Sequence, residues 1–170
     1  MIFRARNMRL QRQPNRWSCL PTAFAMALDV PVEEFLRRIG HDGSDIAFPA
    51  EPEPMCRRGF HIQECIEVAL KLGYSVTPIE LFPRHAPSLS IPPLTIFFGD
   101  ERTVNVERFA HFIDSGLGVI TGYGRNCCHA VAYDHGSIYD PNGSEYRFSL
   151  TNCEMHGFIG ICAWNVNLFR

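Results

Sequence analysis

The sequence predicts an α+β fold. Apolar residues recur at helical spacing through most of the chain before residue 117, and short β-branched or aromatic runs separated by turn residues occupy the rest. Helices gathered ahead of an antiparallel sheet are the α+β arrangement. The 170 residues, 46% hydrophobic and 20% charged, suffice to bury a core. They read as a single domain over 1–170, its helical half at about 1–116 and its sheet half at about 117–170.

The first helix runs from Leu20 to Asp29, because Pro21 is tolerated in a first turn and Leu20, Ala23, Phe24, Ala27 and Leu28 recur at helical spacing. Alanines and bulky residues lie all round it, which predicts cover on more than one face. Pro31 ends it. PVEEFLRRIG gives a second short helix with Val32, Phe35, Leu36 and Ile39 inward and Gly40 as its stop. HDGSDIAFPAEPEP, proline-rich and without a period, is a loop. GFHIQECIEVALKLGY gives a third helix, with Ile62, Cys65, Ile66, Ala69 and Leu70 on one face and Gly73 closing it.

SVTPIELF reads as a strand, PRHAPSLSIPP as a proline-rich connection, LTIFF as another strand, and VERFAHFIDSG as a helix stopped by Gly116. The remaining strands are GVITGYG, CHAVAYD, SIYDP, EYRFSL and FIGICAWNV, separated by turns such as DHG and PNGS. No repeat or low-complexity segment interrupts them.

Bulk properties narrow the function. No apolar run approaches the roughly 20 residues needed to cross a bilayer, and arginines stand where a signal peptide needs its apolar segment. The expectation is a soluble, cytoplasmic protein with no membrane partner. A net charge of −2 gives no global field for nucleic acid, and the basic cluster Arg4, Arg6, Arg9, Arg12 and Arg16 reads as a solvated edge. Seven irregularly spaced cysteines do not form a disulfide framework, so most are expected to be free thiols.

One cysteine stands out by position. Cys19 opens the first helix, and a thiol attacks carbonyls as its thiolate, a form that a helix N-terminus and a nearby imidazolium both favour. The competing reading is a small, inert core residue. Of the seven histidines, His129 lies in a candidate hairpin, CCHAVAYDHGSIYDPNG, whose second strand presents Asp140. If His135-Gly136 form a two-residue turn, 134 pairs with 137 and 131 with 140, and 129 points to the same face as 140. The two residues are then diagonal neighbours about 7–8 Å apart at the backbone, bridgeable by their side chains. A three-residue turn, Asp134-His135-Gly136, would send them to opposite faces. The even register also puts Cys128, Ala130 and Ala132 on the reverse face, where small side chains allow close packing. An oxyanion formed at the sulfur's target needs donors; the Cys19 backbone N–H and the Gln13 side-chain amide are candidates, with Gln11 a nearby competitor.

Gln13-x5-Cys19 at the start of a central helix, followed by His129 on a strand and Asp140-Pro141 on the next, resembles the papain-like cysteine peptidases. The closest likeness is to the bacteriocin-leader-processing branch and its relatives, although Leu20 stands where that branch commonly has glycine. The resemblance implies a papain-like fold, its nucleophile helix packed on the C-terminal sheet. It further implies Cys19 as nucleophile, His129 as general base and acid, Asp140 as orienting residue and Gln13 as oxyanion donor. The implied reaction is cleavage of an amide in a protein or peptide substrate through a thioester, with no cofactor. The same machinery serves an acyltransferase or transglutaminase. A non-catalytic binding module and a zinc-binding domain are the other readings, the latter from Cys56-x4-His61-x3-Cys65 and the group Cys127, Cys128, Cys153, His156 and Cys162. Substrate selection is expected in the loop holding Asp42, Asp45, Glu51 and Glu53, or in the segment from Pro83 to Pro93.

Overall fold

A computed structural model describes residues 8–80, 102–125 and 127–169, with the side chains of 80 and 102–108 excepted. The elements in chain order are α1 (Cys19–Leu28), α2 (Val32–Ile39), α3 (Ile62–Lys71), β1 (Tyr74–Glu80), α4 (Arg102–Ser115), β2 (Leu117–Tyr123), β3 (Cys128–Asp134), β4 (Ser137–Asp140), β5 (Ser144–Arg147), α5 (Leu150–Met155) and β6 (Ile159–Leu168). The expected strand LTIFF and the segment from Pro83 to Pro93 lie outside the described residues.

The six strands form one antiparallel sheet in the order β1-β6-β2-β3-β4-β5. β1 comes from the helical half of the sequence and completes one edge. Each face has its own core. Val119, Ala130, Ala132 and Val166 pack with α1, α2 and α3; Ile120, Val131, Tyr133, Ile138 and Ala163 pack with Phe109 and Ile113 of α4 and Cys153 of α5. Both surfaces of β3 are therefore buried, as its unbroken apolar stretch requires.

The central helix owes its place to its composition. Every residue from Pro21 to Leu28 is buried, and Ala130 and Ala132 let it lie close on β3. Full burial of a side chain such as Phe24 contributes about 1.5–3 kcal/mol. Asp29, not Pro31, ends the helix: it adopts the left-handed conformation (φ 55°) and returns its N–H to Ala25 and Met26. β2 lies so close to β6 that a Cβ on Gly122 would sit 1.9 Å from the Ile159 carbonyl oxygen. Only glycine fits there, beside the irregularity at Thr121/Gly122.

Three expectations need correction. Leu70 is 46% exposed, and Val68 takes the inward place, because the buried stripe of α3 runs through Cys65, Val68 and Ala69. EYRFSL is a strand only as far as Arg147; Ser149 then caps α5, its Oγ accepting from Asn152 N at 3.0 Å. α4 begins at Arg102, ahead of the expected start at residue 106.

Candidate active site

Cys19 is the first residue of α1, and that helix start is bare. Ser18, at the N-cap position, leaves the helix uncapped by its side chain and donates its Oγ hydrogen to Asn15 Oδ1 at 2.6 Å. Thr22 N reaches Ser18 O at 3.1 Å, and Pro21 has no N–H. Among the described residues, the amides of Cys19 and Leu20 thus have no acceptor. They point the positive end of the helix at the sulfur.

The β3–β4 hairpin supplies the ring and the acid. His135 (φ 45°) and Gly136 (φ 81°) form the two-residue turn, with Asp134 opposite Ser137 and Ala132 opposite Tyr139. This even register brings His129 and Asp140 to one face, with His129 Nε2 3.0 Å from Asp140 Oδ1. The carboxylate accepts, so Nε2 carries the proton and Nδ1 is left for a second partner. Phe158 packs against the ring edge-on, 5.7 Å between centroids. Asp140, 3% exposed, also accepts from Asn142 N at 2.8 Å. Burial alone would push the His129 pKa down. Hydrogen bonds to Asp140 and Cys19, together with their charges, outweigh it and raise the value to about 9.

The two glutamines separate cleanly. Gln11 is occupied with structure: its Nε2 donates to Val30 O at 2.8 Å, and its Oε1 accepts from Val32 N at 2.9 Å, which pins the turn between α1 and α2. Gln13 lies beside Asp140. Its backbone N–H bonds Pro141 O at 3.0 Å, its Nε2 donates to Asn142 Oδ1 at 3.2 Å, and its Oε1 is buried with no partner among the described residues.

Two cavities adjoin at Cys19 and His129. The first, of about 490 Å³, is walled by Trp17, Leu20, Met55, Phe60, Tyr123 and Ile161. The second, of about 700 Å³, is lined by polar groups including Gln13, Arg16, Glu53, Arg125, Asn142 and His156. Arg16, expected at a solvated edge, borders both. Arg4 and Arg6 lie outside the described residues.

One wall comes from the acidic loop, which is ordered by its own contacts. Arg57 bonds Glu53 Oε1 through Nε at 2.8 Å and Ser44 O at 2.7 Å, and lies over the Trp17 ring, 5.0 Å from its centroid. Trp17 Nε1 in turn donates to Asp42 O at 2.9 Å.

The remaining thiols fall elsewhere on the scale of access. All seven cysteines are free. Cys65 is fully buried, which pushes its pKa up, and burial raises Cys153 to about 11. Cys128, expected to be packed behind the sheet with Ala130 and Ala132, is exposed at the cavity mouth because β3 begins there. The ring of His61 faces Gln63 Oε1 at 3.0 Å. Among the described residues no three His, Cys, Asp or Glu side chains are grouped to hold a metal ion.

Sequence reasoning passed over Asn142, which it read only as part of the PNGS turn. Its signal was local: an Asx residue two positions beyond a candidate catalytic acid.

No family model matches the chain, and no curated protein matches it in sequence. Solved structures do. A double glycine motif protease from an AMS/PCAT transporter, in complex with its leader peptide, aligns at 14% identity with a TM-score of 0.49, over 94% of this chain and 91% of that one. The peptidase domain of Streptococcus ComA, a bifunctional ABC transporter in a quorum-sensing pathway, aligns at 10% identity with a TM-score of 0.52, over 96% and 99%. At such identity the likeness speaks for the fold, and along nearly its whole length the chain has the α+β fold of a papain-like peptidase domain.

Proposed function

We propose that this protein is a cysteine peptidase or isopeptidase that cleaves an amide bond through a thioester. One observation carries the reading: a half-buried imidazole is held between a carboxylate at 3.0 Å and the thiol at a bare helix start, at the meeting point of two cavities. The Cys19 thiolate attacks the carbonyl carbon and the C=O electron pair moves to oxygen. The Cys19 N–H and the Gln13 amide donate to that oxyanion. As it collapses, the C–N bond breaks and His129 gives its proton to the departing amine, leaving a thioester. Water, deprotonated by His129, then adds and releases the acid. Asp140 keeps the ring in the required tautomer.

The cleft suits a peptide. Its apolar cavity accepts an apolar side chain on one side of the scissile bond, and its polar cavity accepts a more hydrophilic segment on the other. The loop from residue 52 to 60 is placed to select between substrates. We read 1–170 as one catalytic domain working in a reducing compartment, the cytoplasm, in keeping with its free thiols. No helix among the described residues is long and apolar enough to cross a membrane.

Selective alkylation tests the reading. Iodoacetamide at mildly acidic pH should modify Cys19 first, as located by peptide mass spectrometry, and Cys19→Ala protein should retain uncleaved peptide partners from a cell extract. Equal labelling of the accessible thiols Cys19, Cys127, Cys128 and Cys162 would leave an inert scaffold as the better account.

A further inference from the structure

We propose that Asn142 is a positioning residue for acyl transfer, setting the carboxamide of Gln13 and tying it to the His129–Asp140 pair through a single turn. The proposal rests on the assignment of Cys19 as nucleophile and Gln13 as oxyanion donor.

Asn142 touches every other member of the site except the sulfur. Its backbone N–H donates to Asp140 Oδ1 at 2.8 Å and its Oδ1 accepts from Gln13 Nε2 at 3.2 Å, while its Nδ2 lies 3.4 Å from His129 Nε2, a proximity of two donors that adds no hydrogen bond. The turn is closed by Gly143 N on Asp140 O at 2.8 Å, and its Pro141 carbonyl accepts the Gln13 backbone N–H at 3.0 Å. The Gln13 Oε1 has no partner, so among the described residues the bond to Asn142 alone fixes which way that amide faces.

A carboxamide nitrogen has two hydrogens. With one held by Asn142, the other is directed without any search at the moment an oxyanion forms, and Gln13, Cys19, His129 and Asn142 border the same cavity. With Asn142 Oδ1 turned to Gln13, a flip of the Gln13 amide alone would set Oε1 against Oδ1, two acceptors facing each other, so this orientation of Asn142 favours the donor face of Gln13. Because its side chain is exposed, removing it deletes the contact without opening the core.

Two probes of Cys19 separate positioning from structure. p-Nitrophenyl acetate acylates the sulfur through an oxyanion, whereas iodoacetamide alkylates it by displacement at a saturated carbon, with no oxyanion to bind. Asn142→Ala should slow the p-nitrophenolate burst about tenfold and leave the alkylation rate within about twofold. Gln13→Ala should slow the burst about a hundredfold, and the double variant should be no slower than Gln13→Ala. Asn142→Asp, which keeps the acceptor, should recover most of the burst rate.

An Asn142→Ala burst equal to wild type, an equal loss in both reactions, or multiplied losses in the double variant would overturn the proposal. A wild-type protein that forms no acetyl-Cys19 by mass spectrometry fails differently. It removes the nucleophile assignment itself, and this inference with it.

Discussion

His129 is held by opposing influences, and their balance can be titrated. Burial opposes the charged ring, while Asp140 and Cys19 favour it strongly enough to raise the pKa to about 9. Peptide cleavage that needs imidazolium as the acid should therefore fall as pH rises through about 9, and Asp140→Asn should move that basic limb to lower pH. A limb that stays in place would argue against control by Asp140. The Cys19→Ala substitution removes the sulfur's share of that balance. Asp140 still holds the ring's folded pKa above the unfolded value of about 6.5, so the stabilisation is complete below that pH and is lost as pH rises through the folded pKa. Adding Asp140→Asn should flatten this decline in thermal melts. The His129–Asp140 pairing was legible in the sequence because strand parity and a two-residue turn are local rules. The choice between Gln13 and Gln11 was not, since what occupies each amide is a contact made 129 and 19 residues away.

Elements report on their own packing. α1 can approach β3 because positions 130 and 132 are alanine, so Ala132→Leu should overpack the interface and destabilise by about 1–3 kcal/mol in urea unfolding. No change would mean the layer is looser than its full burial implies. Ser149→Ala should cost about 1 kcal/mol through the lost cap of α5. That helix escaped detection because six residues complete too little of a helical period to outweigh the aromatic run before it, and the cap was the only signal. Leu70 was misplaced for a related reason: a stripe drawn through Ile66 and Ala69 continues equally well through either neighbour. Packing in the core shared with α1, α2 and the sheet, not spacing, selected Val68.

At the scale of the molecule, the sheet is covered on both sides, and Cys19, His129 and Asp140 collect where the start of α1 meets the start of β3. The fold class followed from the order of helices and strands. Membership of β1 did not, because its partner β6 lies about half the chain away in sequence. Residues 8–18 run as a strap across this assembly, tied at Gln11 to the α1–α2 turn and at Gln13 to Pro141 and Asn142. Closure of so long a loop is entropically late. After dilution from denaturant, recovery of far-ultraviolet ellipticity should precede recovery of the ester burst, and proteolytic removal of the strap through Gln13 should leave a folded body whose sulfur still alkylates but no longer acylates at speed. Residues 8–18 would then behave as a latch, the final piece to seat and the first to work loose.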